Sequence, residues 1–227
     1  MIKTFTIILC VLGMLVQTVF IYSEYRKNMF AAVWLKGLAS VIFVCVGAYG
    51  LKSTGSSGFS GTVVTGLVLG AIGDVLLNIR YLFRKYKQTF FIAGTVSFFL
   101  GHVMYLIALI PHSRHLIAMI AAGAFVSAGL MLFTYRRIRV ASRFKVPGAL
   151  YILTVVFMAT VAMGNLIEVR NTSRVLFAIG ALFFLTSDMI LINNTFSPKR
   201  KFSLSAVTLV LYYIGQILIA LSVYFLP

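Results

Sequence analysis

The sequence predicts an all-α integral membrane protein with eight transmembrane helices packed in one bundle. Of its 227 residues, 61% are apolar and 11% are charged, whereas about 25% of an ordinary soluble domain is charged. The mean hydropathy is +1.02. This composition excludes a soluble globular domain and a disordered chain. Apolar stretches of about 20 residues recur eight times along the chain, and a helix of that length crosses a bilayer.

The eight predicted spans use most of the chain and leave no connection long enough for a soluble domain. Their approximate bounds are 4–22, 30–51, 61–79, 89–110, 114–134, 148–167, 173–193 and 203–226. The first span lacks a clear small-residue cleavage site and only Lys3 precedes it, so we interpret it as a retained helix. One domain over residues 1–227 is therefore expected.

Basic residues are concentrated in the connections that follow every second span. The connections after spans 1, 3, 5 and 7 contain Arg26, Lys27, Arg80, Arg84, Lys85, Lys87, Arg136, Arg137, Arg139, Arg143, Lys145, Lys199, Arg200 and Lys201. The opposite side has only Lys3, Lys52, Arg114, Arg170 and Arg174. An excess of Lys and Arg in short loops marks the cytoplasmic side, so both termini should be non-cytoplasmic. Topology and attraction to anionic membrane lipids explain most of the net charge of +16, and no nucleic-acid partner is expected.

Two spans near the middle of the chain correspond to the last two at an offset of 114 residues. The aligned positions are Gly66 with Gly180, Gly73-Asp74 with Ser187-Asp188, and Gly101-His102 with Gly215-Gln216. Spans 3 and 4 thus match spans 7 and 8. Copies four spans apart share one orientation, so the pattern predicts a parallel 4 + 4 repeat with halves of about 1–112 and 113–227.

The chain has four carboxylate side chains: Glu24, Asp74, Glu168 and Asp188. The two glutamates lie at span ends and are expected to be interfacial. The two aspartates lie within spans, where ionisable groups are costly and usually functional. Asp74 is six residues from Arg80, or about 9 Å along a helix, and the repeat gives Asp188 the same depth.

A third charged side chain, Lys36, lies at a similar depth in span 2. A partly hydrated cavity shared by the three charges is the simplest arrangement. Two alternatives remain open at this point. One aspartate could form a purely structural ion pair with Lys36, or Lys36 could extend to the membrane interface.

Helical spacing places other polar residues beside the aspartates. Gly70, Gly73, Asp74 and Asn78 share one stripe of span 3, where glycines permit close helix approach. His102 and Tyr105 cluster on span 4, while Tyr212 and Gln216 cluster on span 8, and Ser187 precedes Asp188. Cys10 and Cys45 are expected to be buried free thiols.

The sequence contains none of the usual hydrolase signatures, such as G-x-S-x-G or H-E-x-x-H, and no metal-ligand spacing. No metal or organic cofactor is therefore expected. An enzyme built from this chain would use its carboxyl groups. Two neighbouring acids can provide one proton donor and one anion, a combination that suits a reaction through an oxocarbenium ion.

The chain resembles the lysoplasmalogenase family, the YhhN-like multi-pass membrane proteins. The resemblance rests on residues 70–77, on Phe91 to Gly94 with Phe98, His102 and Tyr105, on residues 180–188 with Asn193, Asn194 and Phe196, and on residues 212–216. Weaker matches occur at Lys36 and at Pro147 to Met158. Family members tend to have a proline shortly after the lysine of span 2, whereas here Gly37-Leu38-Ala39 follows Lys36.

The resemblance implies hydrolysis of the vinyl ether bond of lysoplasmalogens, alkenyl-glycerophosphocholine or -ethanolamine, to a fatty aldehyde and a glycerophospho-alcohol. It also implies a multi-pass protein, expected in a bacterial cytoplasmic membrane. We expect Asp74 and Asp188 to be the catalytic acid and base, in either order. The expected contacts of the lysophospholipid substrate are Lys36, Asn78, Arg80, His102, Tyr105, Ser187, Tyr212 and Gln216.

Two other functions are compatible with the same pattern. A proton-coupled transporter of a small molecule or lipid also combines parallel repeats with intramembrane acids. A lipid-binding or structural membrane protein with an inactive site is the third interpretation. The transporter is distinguished from the enzyme by whether the substrate is chemically changed or only moved.

Overall fold

The computed structural model describes residues 4–55, 58–138 and 142–225, with the side chains of 142–144 excepted. Three basic residues used for the topology prediction, Lys3, Arg139 and Arg143, therefore lie outside the described side chains. All statements below on helices, contacts and absences refer to the described part of the chain.

Eight α-helices and no β-strand occur in these ranges. The helices are α1 (Thr4–Tyr25), α2 (Met29–Thr54), α3 (Gly58–Ile79), α4 (Lys87–Leu109), α5 (Leu116–Arg137), α6 (Ser142–Glu168), α7 (Thr172–Thr195) and α8 (Phe202–Ser222). Each is long and apolar enough to cross a membrane, which confirms the predicted eight-helix fold. Several helices extend a few residues beyond the predicted spans because hydropathy detects only the apolar part of a helix.

The sequence explains where several helices begin. Asn28 caps α2 by accepting a hydrogen bond from the Ala31 amide, and Asn171 caps α7 by accepting one from the Arg174 amide. Glu168 accepts from the backbone amides of Arg114 and His115 just before α5. These polar side chains satisfy backbone donors that have no partner within their own helix.

Helices α3 and α4 approach each other through reciprocal glycine contacts. A Cβ atom added to Gly66 would lie 3.0 Å from the Gly101 carbonyl oxygen, and one added to Gly101 would lie 3.1 Å from the Gly66 oxygen. Helices α7 and α8 meet in the same way through Gly180 and Gly215, with corresponding distances of 2.8 and 2.9 Å. Between α7 and α8 a side chain would collide with backbone atoms of the partner helix. At Gly66 it would collide first with the Tyr105 ring and would also lie tightly against the α4 backbone.

Both helix pairs have a second close contact nearer the aspartates. In the first pair, Gly73 faces Gly94, and in the second the Ser187 hydroxyl donates to the Thr208 carbonyl oxygen at 2.8 Å. Gly73 and Ser187 are 114 residues apart, and so are Gly94 and Thr208. This separation is the offset of the predicted repeat. The 4 + 4 repeat and the location of the termini stay predictions.

The centre of the bundle is filled by aromatic and aliphatic side chains of α2 to α8, including Phe43, Tyr105, Phe177 and Tyr213. Outside, large apolar side chains remain uncovered, as Ile117 and Phe125 show with 85% and 83% exposure. Such a surface suits lipid rather than water. Eight apolar helices with this surface fit a multi-pass membrane protein.

The two cysteines are free thiols, as expected. Cys10 is partly buried, whereas Cys45 is exposed on the outside of the bundle, so the prediction that both are buried is wrong for Cys45. The spacing of Cys45 within an apolar span gave no indication of which way its side chain points.

Candidate functional site

A cavity of about 260 Å³ lies between the helices at one end of the bundle. This end contains Arg80, Tyr135, Ile138 and Arg200, so it is the side with the basic connections, and we call it the basic end. Seven of the ten predicted site residues line the cavity: Lys36, Asp74, Asn78, Arg80, Ser187, Asp188 and Tyr212. Most of the remaining wall is apolar and includes Leu77, Phe98, Ile152 and Leu191.

Asp74 is buried in a cluster of donors. The Lys36 ammonium nitrogen lies 3.3 Å from Asp74 Oδ1, and the hydroxyls of Ser40 and Tyr212 donate to Oδ2 at 2.6 and 2.7 Å. An ammonium and two hydroxyl donors together stabilise a carboxylate anion. Asp74 therefore has the surroundings of an ionised group, supplied by helices α2 and α8.

Lys36 is buried with its partner. Only 2% of the residue is exposed, and its nitrogen lies 4.2 Å from the centroid of the Tyr212 ring and 5.4 Å from that of Phe20. The ion pair between Lys36 and one aspartate, an alternative left open by the sequence, is thus present, and both of its members face the cavity. The other alternative, a lysine that extends to the membrane interface, is wrong.

Asp188 is equally buried but has a different environment. The Tyr151 hydroxyl donates to Asp188 Oδ2 at 2.6 Å, and among the described residues no Lys, Arg or His forms an ion pair with this carboxyl. The two aspartates therefore line one cavity with unequal partners, a cation for Asp74 and a phenol for Asp188. Tyr151 was not predicted as a site residue. The only signal for it was the weak family match between Pro147 and Met158.

Behind the cavity wall lies a chain of hydrogen bonds. Tyr105 donates to Gln216 Oε1 at 3.0 Å, and the Gln216 amide nitrogen lies 3.5 Å from the Tyr212 hydroxyl, which in turn donates to Asp74. Tyr105 and Gln216 do not line the cavity. The prediction that these two residues contact substrate is therefore not supported by their positions. They form hydrogen bonds that lead to Tyr212 instead.

His102 is also placed away from the cavity lining. Its Nδ1 lies 2.6 Å from the Phe98 carbonyl oxygen, which can only accept, so Nδ1 holds a hydrogen. The ring packs 4.6 Å from Phe184 and 5.6 Å from Tyr151, measured between ring centroids. His102 is therefore a packing residue beside Tyr151, and the prediction that it contacts substrate is not supported by its position.

Asn78 and Ser187 line the cavity but are already bonded to helix backbone. The Asn78 amide nitrogen donates to the Asp74 carbonyl oxygen at 3.2 Å. The Ser187 hydroxyl donates to Thr208, as described above. The hydroxyls of Thr134 and Thr208 also face this region and are buried without a hydrogen-bond partner in the described part of the chain.

The part of the cavity lining next to the basic connections, which we call the mouth, contains the charged residues Arg80, Arg200 and Glu24. Arg80 donates to the Tyr81 hydroxyl at 2.9 Å, and its guanidinium lies over the rings of Tyr81 and Phe91. Arg200 and Glu24 also line this region. Glu24 was expected to be only interfacial, and its position in the cavity corrects that expectation. Arg200 was identified in the sequence only as part of a basic loop.

No group of three or more His, Cys, Asp and Glu side chains in the described ranges could hold a metal ion. The cavity lining itself provides the carboxyl groups of Asp74 and Asp188 and several hydroxyls. Two buried carboxyl groups with different partners can act as a proton donor and an anion in one reaction.

One of three comparisons with known proteins found a match, and it agrees with the resemblance found in the sequence. No curated protein and no solved structure matches the chain. The model of the YhhN family matches residues 31–223, which include Lys36, both aspartates, Tyr151 and Tyr212. With most of its length matched, the chain belongs to the YhhN family.

Proposed function

We propose that the cavity is the active site of a lysoplasmalogenase-type hydrolase, which cleaves the vinyl ether bond of a lysophospholipid. The observation that carries this proposal is the unequal environment of two buried aspartates on one apolar cavity. Membership of the YhhN family supports it. The substrate is an alkenyl lysophospholipid with a choline or ethanolamine headgroup.

The different partners of the two aspartates indicate which one is the anion and which one is the proton donor. Asp74, beside the Lys36 ammonium, is the anion, and Asp188, which has no cation partner in the described chain, is the proton donor. Asp188 transfers its proton to the β carbon of the vinyl ether, and the π electrons form the new C–H bond. The ether oxygen then shares its lone pair with the α carbon, and the Asp74 carboxylate stabilises the resulting oxocarbenium ion.

Water completes the reaction. A water molecule adds to the α carbon and loses a proton to Asp188, which restores the acid. The hemiacetal then collapses, because its hydroxyl proton moves to the glycerol oxygen as the carbon–oxygen bond to glycerol breaks. The products are a fatty aldehyde and a glycerophospho-alcohol, and one water molecule is consumed.

The lining of the cavity, apolar with charged groups at the basic end, suits a single-chain lipid. Apolar side chains such as Phe98, Ile152 and Leu191 would contact the hydrocarbon tail, while Arg80 at the mouth would contact the phosphate. Lys36 is predicted from the sequence as a substrate contact. Because its ammonium is 3.3 Å from Asp74, we assign it to the carboxylate instead.

The test is aldehyde release from a lysoplasmalogen by the purified protein. Asp74→Asn and Asp188→Asn should each lower the rate by a factor of about one hundred or more, because each removes a different charge or proton from the reaction. Glu168→Gln is the matched control, since it changes an acid far from the cavity lining. Full activity in either aspartate variant would remove that residue from the mechanism, and no aldehyde from any vinyl ether lipid would exclude the substrate.

Proton-coupled transport is the second candidate function. The buried Lys36–Asp74 pair favours it, since intramembrane ion pairs also occur on proton and substrate pathways. Reconstituted vesicles separate the two functions. Uptake of an unchanged lipid or solute driven by a pH gradient, without aldehyde formation, would support the transporter.

A further inference from the structure

We propose that the hydrocarbon tail of the substrate leaves the cavity sideways, through an opening between helices α4, α5 and α6, and stays in the surrounding lipid during the reaction. This side opening is bordered by Thr95, Tyr135, Pro147 and Gly148, which all line the cavity. The proposal rests on the proposed function, because it assumes that a single-chain lipid is the substrate. It adds the path of the tail and the residues that limit this path.

The cavity is too small to hold a whole lysophospholipid. Its volume of about 260 Å³ lies below the roughly 300–1,000 Å³ of pockets that enclose drug-sized ligands, and a lysophospholipid with a long tail is larger than such a ligand. Part of the molecule therefore stays outside the cavity. The tail is the part for which this costs little, because membrane lipid is as apolar as the side chains of the cavity wall.

The cavity wall is open where α4, α5 and α6 meet at the basic end. Helices α4 and α5 both line the cavity there, yet they hardly contact each other. Tyr135 is 39% exposed, Pro147 is also exposed, and Thr95 and Gly148 are half-buried. A Cβ atom added to Gly148 would meet nothing within 4 Å in the described chain. These residues thus line the cavity and are also accessible from outside the bundle.

The corresponding wall between α1 and α8 is closed. These two helices pack together, and Gln17 Nε2 donates to the Leu209 carbonyl oxygen at 3.2 Å. At the 114-residue offset the matching positions are Met131 and Thr95. The Thr95 hydroxyl donates to the Phe91 carbonyl oxygen of its own helix at 2.8 Å, so this bond does not join α4 to α5.

A second pair of matching positions shows the same difference. Lys36 is buried and lines the cavity, whereas Leu150, at the same offset, is 51% exposed and lies outside the lining. Leu150 is two residues from Gly148 on α6. It therefore presents an apolar surface next to the side opening, where a hydrocarbon tail would leave the cavity.

The proposed reaction requires that the tail begin beside Asp188. In a vinyl ether lipid the tail continues from the β carbon, whereas the glycerophosphate is joined through the ether oxygen to the α carbon. Asp188 is the proposed proton donor to the β carbon, and its partner Tyr151 lies about one helical turn from Pro147 and Gly148. A tail that starts at Asp188 can therefore pass along α6 to the side opening.

The experiment compares two saturated ether lysophosphocholines, which bind without reacting. One has a hexadecyl tail, and the other has a butyl tail that ends two carbons beyond the position of the β carbon and so stays within the cavity. Gly148→Trp places a large ring in the open space beside Pro147. In the full-length protein in neutral detergent, it should raise the Kd of the hexadecyl lipid relative to that of the butyl lipid by at least about tenfold over the wild type.

Gly129→Trp is the matched control, because it makes the same change on α5 at a glycine whose added Cβ also meets nothing within 4 Å. It should leave the Kd ratio unchanged. Thr95→Trp, which narrows the side opening from α4, should shift the ratio in the same direction as Gly148→Trp. Leu209→Trp, at the matching position of the closed wall, should not shift it.

An unchanged Kd ratio in Gly148→Trp, with wild-type thermal stability, overturns the proposal. If Gly148→Trp does not fold, an unchanged ratio in Thr95→Trp overturns it. A ratio that is shifted only by Leu209→Trp would put the exit of the tail between α1 and α8, and this result would overturn the proposal as well.

The outcome is separate from that of the proposed hydrolysis, because binding is measured without reaction. Aldehyde release together with an unchanged Kd ratio would overturn only the side opening. A shifted ratio without aldehyde release from any vinyl ether lipid would overturn only the hydrolase.

Discussion

At the Asp74 carboxylate three donors meet, Lys36, Ser40 and Tyr212, whereas only the Tyr151 hydroxyl reaches Asp188 among the described residues. The two acids are alike in sequence surroundings and in burial. At the 114-residue offset of the predicted repeat, Leu150 stands where the other copy has Lys36, and Phe98 stands where it has Tyr212. This offset therefore pairs the cation and the phenol beside Asp74 with two apolar residues.

The first prediction at this scale concerns Lys36. Lys36→Met should leave the Asp74 carboxylate buried without its cation, which typically costs about 3–5 kcal/mol of stability, and it should lower aldehyde release by at least about tenfold. Thermal unfolding in detergent and the aldehyde assay measure the two effects. The double variant Lys36→Met with Asp74→Asn should recover much of the stability but not the activity. Lys52→Met, at an exposed lysine near the end of the same helix, serves as the control.

The second prediction concerns Tyr151. Tyr151→Phe keeps the ring that packs beside His102 but removes the hydrogen bond to Asp188. We expect a loss of about tenfold in kcat with little change in KM, because one hydrogen bond of roughly 1–1.5 kcal/mol to the proton donor is missing. The matched control is Tyr22→Phe, at a tyrosine on the outer surface. Wild-type kcat in Tyr151→Phe would show that this hydroxyl has no part in the reaction.

At the scale of the helices, two pairs of glycines determine how closely neighbours approach. Gly66 with Gly101 and Gly180 with Gly215 bring α3 against α4 and α7 against α8, with backbone atoms in direct contact. Asp74 and Asp188 lie two turns further along α3 and α7 than Gly66 and Gly180. The cavity is therefore bordered by two closely packed helix pairs, each of which contributes one acid.

The third prediction tests this packing. Gly66→Ala and Gly180→Ala should each destabilise the protein by about 1–3 kcal/mol. The added methyl meets the Tyr105 ring and the Gly101 carbonyl oxygen in the first variant, and the Gly215 carbonyl oxygen in the second. Similar losses in the two variants would agree with the predicted repeat. Gly129→Ala on α5 is the control, because its added Cβ meets nothing within 4 Å and alanine is the better helix former. An unchanged unfolding temperature for Gly180→Ala would contradict the tight crossing.

For the whole molecule, the distribution of charge and the position of the cavity coincide. The cavity lies at the end where the basic connections occur, and we propose that this end faces the cytoplasm, as the excess of Lys and Arg predicts. A lysolipid would then enter from the cytoplasmic leaflet. The basic connections would serve both to orient the protein and to make the mouth positive.

The fourth prediction tests that orientation. In a variant with Cys10→Ser and Cys45→Ser, a single cysteine is introduced as Lys52→Cys or Lys85→Cys. A membrane-impermeant maleimide added to intact cells should label the first position and should reach the second only after permeabilisation. Labelling of the second position in intact cells would reverse the proposed topology.

Much of the fold was predictable from the sequence, and the reason is the solvent. A helix in lipid must be about 20 apolar residues long, so each span is visible in hydropathy alone, and all eight are present. The aspartates and Lys36 were predictable for the same reason, since charges inside a span are rare and conspicuous. The positions of Tyr151, Arg200 and Glu24 on the cavity were not predictable, because tyrosine, a loop arginine and a glutamate at a helix end have nothing unusual in their local sequence.

The sequence by itself determined the class of fold, the number of spans and which charged groups lie within them, because these follow from transfer free energies that depend on local composition. Tertiary structure decided which acid receives the cation, which tyrosine bonds to which aspartate, and which predicted residues reach the cavity. Those contacts join positions as distant as Asp74 and Tyr212, 138 residues apart. They depend on how each helix is rotated about its own axis, and helices that are apolar on nearly every side have little periodicity from which that rotation could be inferred.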